Sequence, residues 1–107
     1  MNRIDGYTAD VNYPAFFHKE MPPVWLACVA RLLGFSPPEL AQPFRYCELG
    51  CGLGINLLVA AACHPHAEFV GVDFNESHLR IARDAAQAAG LRNIAFVHSG
   101  FAQFADA

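Results

Sequence analysis

An acid and three glycines, with a second acid one crossover later, are the residues of this chain best placed to do chemistry. The segment YCELGCGLG ends a short apolar run and carries Glu48, Gly50, Gly52 and Gly54. The segment FVGVDFN ends a second apolar run at Asp73. Alternate glycines permit a tight turn and let a ligand approach the main chain without a Cβ in the way. Because a carboxylate after the next strand suits the hydroxyls of a ribose, the pattern predicts a nucleotide-like ligand.

A dinucleotide is one such ligand, but the glycine spacing disfavours it. Counted from Gly50, the fingerprint GxGxxG requires its last glycine where this chain has Ile55. Glu48 would also place negative charge beside a pyrophosphate. A carboxylate in that place instead attracts an ammonium or sulfonium group. A dinucleotide-binding oxidoreductase fragment is therefore the least favoured of the functions considered.

The elements that must position these residues alternate in type. Three segments read as strands and two as helices, in the chain order FRYCEL, INLLVAAAC, AEFVGVD, ESHLRIARDAAQAAG and NIAFVH. This order requires a parallel sheet with right-handed crossovers, and ligands bind beyond the carboxyl ends of such strands. Asn75 and Ser77 are candidate N-caps of the second helix, and Gly90 is its expected stop.

The first part of the chain differs in character from the rest. Residues 1–42 are expected to form an N-terminal arm and helices, and residues 43–107 a partial α/β domain. The segment MPPVWLACVARLLGF has prolines at its start and apolar residues spaced by three and four, which predicts a helix that stops near Gly34. The segment SPPEL predicts a second, short turn of helix opened by Ser36.

Composition excludes several classes of protein. The chain has 107 residues, a net charge of −3 and only 16% charged residues, so it lacks the clustered basic face expected of a nucleic-acid binder. Its apolar runs stay well short of the roughly 20 residues that span a membrane. The N-terminus lacks the apolar core of a signal peptide. These features predict a soluble, cytoplasmic protein.

The four cysteines form no CxxC pair, and they are Cys28, Cys47, Cys51 and Cys63. Three lie in apparent helix or strand interiors, which predicts reduced, partly buried thiols. The segment CHPH, residues 63–66, has no second pair of ligands of the kind that structural zinc requires. No metal site is therefore expected.

The strand-end segments together resemble a known family. ELGCGLG, followed by VGVDFN and NIAFVHSG, resembles the first three strand ends of the class I S-adenosylmethionine-dependent methyltransferases. The upstream segments YTADVNYP and ARLLGFSPP resemble the bacterial subset associated with a methyltransferase regulatory domain. The resemblance implies the N-terminal half of a Rossmann-like fold, with three parallel strands in the order 3-2-1, flanking helices and an end before strand four. It also implies S-adenosylmethionine as the cofactor.

The resemblance assigns roles to individual residues. Glu48 would lie near the methionine amino group, Asp73 would hold the ribose hydroxyls, and Phe74 would pack on the adenine. The glycine positions that would line the methionine and ribose are Gly50, Gly52 and Gly54. Where the family commonly has an acid near the adenine, this chain has Phe101. Adenine recognition would then fall to the backbone, to Ser99 or to Phe101.

The resemblance favours the cofactor-binding half of a methyltransferase whose acceptor is unknown and which is inactive as this chain alone. The alternative is a non-catalytic cofactor-binding or regulatory module with the same fold. In either case the FRYCEL strand would have an unpaired edge, and an apolar helix-packing face would stay uncovered. Both features promote association. We therefore expect a homo-oligomer through the exposed sheet edge or the apolar face.

Overall fold

The computed structural model describes residues 17–105 and two short strands at residues 3–4 and 7–8. Its strands and helices, in chain order, are β1 (Arg3–Ile4), β2 (Tyr7–Thr8), α1 (Pro23–Leu32), β3 (Arg45–Leu49), α2 (Ile55–Cys63), β4 (Glu68–Asp73), α3 (Glu76–Ala88), β5 (Ile94–His98) and α4 (Phe101–Ala105). The first two strands pair as a small antiparallel hairpin.

The three longer strands form a parallel sheet in the order β3–β4–β5. Tyr46 of β3 pairs in register with Phe69 of β4, which pairs with Ile94 of β5. The helices α2 and α3 form the two crossovers. The predicted α/β class and the strand order 3-2-1 are confirmed. Because all three strands point the same way, their carboxyl ends lie along one edge of the sheet.

Helices α2 and α3 cover one face of this sheet. Leu57 and Ala61 of α2 are fully buried and pack in one cluster with Phe44 and Phe69. The buried side chains of α3 include Leu79, Ala82 and Ala86. The small alanines of both helices let the helix backbones approach the sheet closely. Burial of these apolar side chains is the main force that holds the layers together.

The start and the end of α3 follow the predicted signals. Asn75 is the N-cap, and its side-chain Oδ1 accepts hydrogen bonds from the backbone N–H groups of Ser77 at 3.1 Å and His78 at 3.4 Å. Gly90, just past the helix, has a φ of 71°, a conformation that side-chain-bearing residues resist. Local chemistry therefore fixes where this helix begins and ends.

A single amide side chain holds the end of α2 against the start of β5. The Nδ2 of Asn93 lies 2.9–3.0 Å from the carbonyl oxygens of Ala61, His64 and Ala67. These carbonyls belong to the last turn of α2 and the loop after it, which have no helical N–H partners. Asn93 therefore closes the first crossover far from the carboxyl ends of the strands.

The prediction of a short helix in SPPEL is wrong. Residues 35–39 have no regular secondary structure. A proline disfavours the helical conformation of the residue before it, so the consecutive Pro37 and Pro38 keep the chain extended. Glu39 instead accepts a hydrogen bond from the Arg31 side chain at 3.3 Å, which ties the segment to α1.

Helix α1 forms where the sequence predicts it, but its apolar side chains are largely uncovered. Trp25 is 46% exposed and Leu32 is 82% exposed, and Pro23 is the one residue of the helix that is buried. Periodicity identifies which side of a helix is apolar. It does not show whether the described residues cover that side.

The predicted burial of the cysteines is wrong for three of the four. Cys51 is buried, whereas the exposed ones are Cys28, Cys47 and Cys63. All four are free thiols. Cys47 is exposed because α2 and α3 pack on the opposite face of β3 and β4. Strand character alone does not tell which face a helix will cover.

The described residues show neither a membrane-spanning helix nor a cluster of metal ligands. None of the helices in residues 17–105 has the length and apolar content needed to cross a membrane. Over the same part of the chain, no group of three or more His, Cys, Asp or Glu side chains is placed to hold a metal ion.

The close packing of α2 on the sheet depends on Gly71 in the middle of β4. A Cβ at this position would lie 2.9 Å from the side chains of Cys51, Leu57 and Phe96. Gly71→Ala should therefore lower the free energy of unfolding by about 1–3 kcal/mol, as overpacking does. Urea denaturation measures this change. The control Ala95→Ser, on an exposed position of β5, should change the stability by less than about 0.5 kcal/mol. An equally stable Gly71→Ala chain would contradict the packing described here.

Candidate functional site

A cavity of about 710 Å³ opens at the carboxyl ends of β3 and β4. Three parts of the chain form its walls: the segment before α1, the glycine loop with the first turn of α2, and the end of β4. The cavity is lined by six of the seven predicted site residues, namely Glu48, Gly50, Gly52, Gly54, Asp73 and Phe74. The structure therefore brings together residues that lie on two separate strand ends in the sequence.

The carboxylate of Asp73 joins the two strand ends. Asp73 is 5% exposed, and its Oδ2 accepts a hydrogen bond from the Gly52 N–H at 2.8 Å. Its Oδ1 accepts one from the Asn75 N–H at 2.9 Å. Asp73 thus fixes the glycine loop relative to the N-terminus of α3. A hydrogen-bonded carboxylate oxygen keeps a further lone pair, so this anchoring leaves acceptor capacity for a ligand.

The glycines of the loop have different physical roles. Gly54 has a φ of 76°, and a Cβ there would lie 3.1 Å from the Phe96 ring and 3.2 Å from the Cβ of Ala82. It therefore permits close packing of α2, α3 and β5. At Gly52, where φ is 57°, a Cβ would meet nothing within 4 Å. Because Gly52 lines the cavity, a side chain there would occupy space that is open to a ligand.

Glu48 is one of the two carboxyl residues that line the cavity. Its Oε2 is buried and has no hydrogen-bond partner among the described residues. Burial raises the pKa of Glu48 from 4.5 to about 7. A buried carboxylate oxygen without a donor is costly, and a cationic donor in the cavity would remove that cost. The site therefore fits a ligand that carries an ammonium group.

The Cys51 thiol lies in the same loop but is not suited to nucleophilic chemistry. Burial, together with the negative charges of Asp73 and Glu48, raises the pKa of Cys51 to about 12. The thiol, which is a much weaker nucleophile than the thiolate, is therefore the form present at neutral pH. Cys51 acts as a small packing residue that lines the cavity and faces Gly71 of β4.

Ser99 and Phe101, the two residues considered for adenine recognition, are placed differently. Ser99 is not among the residues that line the cavity; its hydroxyl donates to the Gly100 carbonyl at 2.8 Å, and its backbone N–H donates to the Asp73 carbonyl at 3.0 Å. Phe101 does line the cavity, and its ring lies 3.4 Å from the position of a Cβ on Gly50. An aromatic ring therefore stands close to the glycine loop.

Sequence reasoning did not identify the wall that the segment before α1 contributes. His18 and Met21, from the segment before α1, line the cavity together with Asn56 of α2. One signal was available, because Asn56 is the lone polar residue in the apolar helix INLLVAAAC. A buried amide must find hydrogen-bond partners, but the sequence does not show that those partners lie 38 residues away.

A family model described as a methyltransferase domain matches residues 42–106, which is more than half of the chain. The chain belongs to the methyltransferase-domain family. It is 40% identical over 100 residues to an uncharacterised protein of Synechocystis, a match that covers 94% of this chain and 20% of the relative. It is also 43% identical over 75 residues to a tRNA (guanine-N(7)-)-methyltransferase of Rubrobacter xylanophilus, covering 68% of this chain and 34% of that protein.

Two solved structures of one protein share the fold. PKMT2 from Rickettsia typhi superimposes with a TM-score of 0.73 at 28% identity, over 78% of this chain and 16% of that one. The same protein in complex with AdoHcy gives a TM-score of 0.73 over 79% of this chain and 16% of that one. The class I resemblance drawn from the strand ends is confirmed. The chain spans between 16% and 34% of the length of these four proteins and structures.

The buried carboxyl of Glu48 should make the stability of this methyltransferase domain depend on pH. Because its pKa is raised to about 7 in the folded chain, the stabilisation that Glu48 contributes is fully present below about pH 4.5 and is lost as the pH rises through about 7. Glu48→Gln removes this titration. The stability of the variant relative to the wild type should therefore rise between about pH 5 and about pH 8.

Urea denaturation at a series of pH values measures this difference. The matched control is Glu68→Gln, on the exposed start of β4. It shows the effect of losing a carboxyl from the surface. A stability difference between Glu48→Gln and the wild type that does not change with pH would contradict the burial of the Glu48 carboxyl.

Proposed function

We propose that this chain is the cofactor-binding half of an S-adenosylmethionine-dependent methyltransferase. The observation that carries the proposal is the buried, unpartnered Oε2 of Glu48, a residue of β3 that lines the cavity beside the glycine loop. S-adenosylmethionine carries the ammonium group that this oxygen requires. Membership of the methyltransferase-domain family and the AdoHcy complex of the PKMT2 structure support the same cofactor.

The proposed roles of the site residues follow their places in the cavity. Glu48 binds the amino group of the methionine portion, and Gly52 leaves the space in which that portion lies. Asp73 accepts hydrogen bonds from the ribose hydroxyls with the lone pairs that its backbone donors leave free. Phe74, at the end of β4, packs on the adenine. The sequence also predicts a contact between Ser99 and the adenine. Because Ser99 does not line the cavity, this contact stays a prediction.

The cofactor, when bound, supplies a methyl group that its sulfonium has already activated. The residues of this chain bind and orient it, and orientation contributes much of the rate in such transfers. The walls described here surround the cofactor portion of the site. We propose that the acceptor site is formed by other parts of the fold, which the much longer relatives contain. In isolation the chain then acts as a non-catalytic cofactor-binding module.

We further propose that this chain associates with a second copy of itself. Within the described residues β3 pairs only with β4, so its other edge presents unpaired backbone groups. Leu49 at the end of β3 is 53% exposed, and the apolar side chains of α1 are exposed as well. Such edges and faces promote self-association. Sedimentation velocity should give a mass above that of the 11.7 kDa monomer, whereas a monomer at moderate concentration would contradict the proposal.

Calorimetric titration tests the cofactor proposal. The chain should bind S-adenosylmethionine and S-adenosylhomocysteine but not NAD. Glu48→Gln should weaken S-adenosylhomocysteine binding by about tenfold or more, because a hydrogen bond to a charged group contributes about 1.5–3 kcal/mol. Methylthioadenosine lacks the amino-acid group, so its affinity should be unchanged in this variant. The control Glu68→Gln should bind all ligands as the wild type does.

Besides the absence of S-adenosylhomocysteine binding by the folded chain, two outcomes would overturn the proposal. The first is NAD binding in preference to S-adenosylhomocysteine. The second is an equal loss of affinity for methylthioadenosine and S-adenosylhomocysteine in Glu48→Gln. Such a result would show that Glu48 does not bind the amino group of the ligand. Glu48 is a sharper test than Asp73, because both oxygens of Asp73 also accept backbone hydrogen bonds that hold the loop.

A further inference from the structure

One wall of the cavity is formed by a tight turn, residues 18–21, which we call the N-terminal turn. The backbone N–H of Met21 donates to the carbonyl of His18 at 3.1 Å and closes the turn. His18 and Met21 both line the cavity, and His18, Lys19 and Glu20 are also exposed. This turn therefore lies between the cavity and the solvent.

Asn56 holds one end of the N-terminal turn through both of its amide atoms. Its Nδ2 donates to the His18 carbonyl at 2.6 Å, and its Oδ1 accepts from the His18 N–H at 2.9 Å. Asn56 itself is 8% exposed, in the first turn of α2 directly after the glycine loop. The two bonds resemble the pairing between two strands, because a carboxamide presents a donor and an acceptor side by side, as a backbone segment does.

Tyr46 holds the other end of the turn. Its hydroxyl donates to the Met21 carbonyl at 2.7 Å. Its half-buried ring packs against the core cluster. The turn is thus fixed at its first residue from α2 and at its last residue from β3. Both anchors come from the elements that flank the glycine loop, so the loop and the turn keep a fixed separation across the cavity.

We propose that Asn56 and Tyr46 are positioning residues that hold the N-terminal turn as the retaining wall of the cofactor cavity. The inference rests on the proposed function, because the retained ligand is the cofactor of that site. Neither side chain needs to react. Each acts through the backbone of the turn, so that dissociation of the ligand requires these three hydrogen bonds to break. The anchors therefore slow ligand release more than they change ligand association.

The sequence offers a direct probe of this turn. Lys19, at its exposed tip, is the single lysine of the chain. A lysine-specific endoprotease therefore has one cleavage site, and cleavage of a tight turn requires the turn to open. When opening and closing are fast, the cleavage rate follows the population of the open turn. The rate of cleavage at Lys19 thus measures how firmly Asn56 and Tyr46 hold the turn closed, without any assay of activity.

Three variants separate positioning from general stability. Asn56→Ala removes two anchoring bonds, and Tyr46→Phe removes one hydroxyl while keeping the ring in the core. Asn93→Ala is the matched control, because it removes an amide that bonds three backbone carbonyls away from the cavity. All measurements are made below the midpoint of thermal unfolding of the weakest variant.

We expect Asn56→Ala to raise the cleavage rate at Lys19 about tenfold and Tyr46→Phe to raise it about threefold, since each lost hydrogen bond has a modest net effect. S-adenosylhomocysteine should protect Lys19 in the wild type. Its dissociation rate, measured by stopped flow, should rise in both variants by similar factors, with an association rate close to that of the wild type. Asn93→Ala should cleave and release the ligand as the wild type does.

The failures of the two proposals are distinguishable. If the wild type binds S-adenosylhomocysteine and both variants release it at the wild-type rate, the retaining role is overturned while the proposed function stands. If the folded wild type does not bind S-adenosylhomocysteine, the proposed function fails and the retaining role fails with it. Equal acceleration of Lys19 cleavage in Asn93→Ala would also overturn the positioning role, since the effect would then be one of general stability.

Discussion

The hydrogen bonds that Asp73 accepts are the constraint on which the site depends. One oxygen takes the Gly52 N–H and the other takes the Asn75 N–H, so a single buried carboxylate joins the first strand end to the second. Without it, the glycine loop would have fewer contacts that fix it over the end of β4. The same residue then has two duties, because the geometry that orders the loop also points a carboxylate toward the cavity. A substitution of Asp73 would therefore disturb the loop as well as the ligand contact proposed for this residue.

Glu48 differs from Asp73, because one of its oxygens has no hydrogen-bond donor in the described protein. It has a buried oxygen that the described protein does not satisfy, and its pKa is raised to about 7 by burial. A fold selected for stability alone would place an apolar residue or a hydrogen-bond donor there. The unpaired carboxyl makes sense when a cation completes it. The chain thus gives up some stability at one strand end, and the ligand proposed for this methyltransferase domain restores the missing interaction.

The cavity is complete only because residues far apart in the sequence meet. The glycine loop forms one wall, and the N-terminal turn held by Asn56 and Tyr46 forms another. In the sequence, Asn56 is an isolated polar residue in an apolar helix, and His18 is an isolated histidine. Their relationship is a matter of three-dimensional placement. A site of this kind needs the second wall, because an open strand edge binds a small molecule weakly.

The sequence alone determined the order of the elements, the parallel sheet and the acids and glycines at its strand ends, because these features rest on local periodicity, capping and turn chemistry. It identified Asn75 and Gly90 as the signals for the limits of α3 for the same reason. Only the tertiary structure decided which face of β3 the helices cover, and hence that Cys47 is exposed. It alone placed Ser99 outside the cavity lining, left SPPEL extended and brought His18 to Asn56. These outcomes depend on contacts between distant residues, which the periodicity of a single segment does not encode.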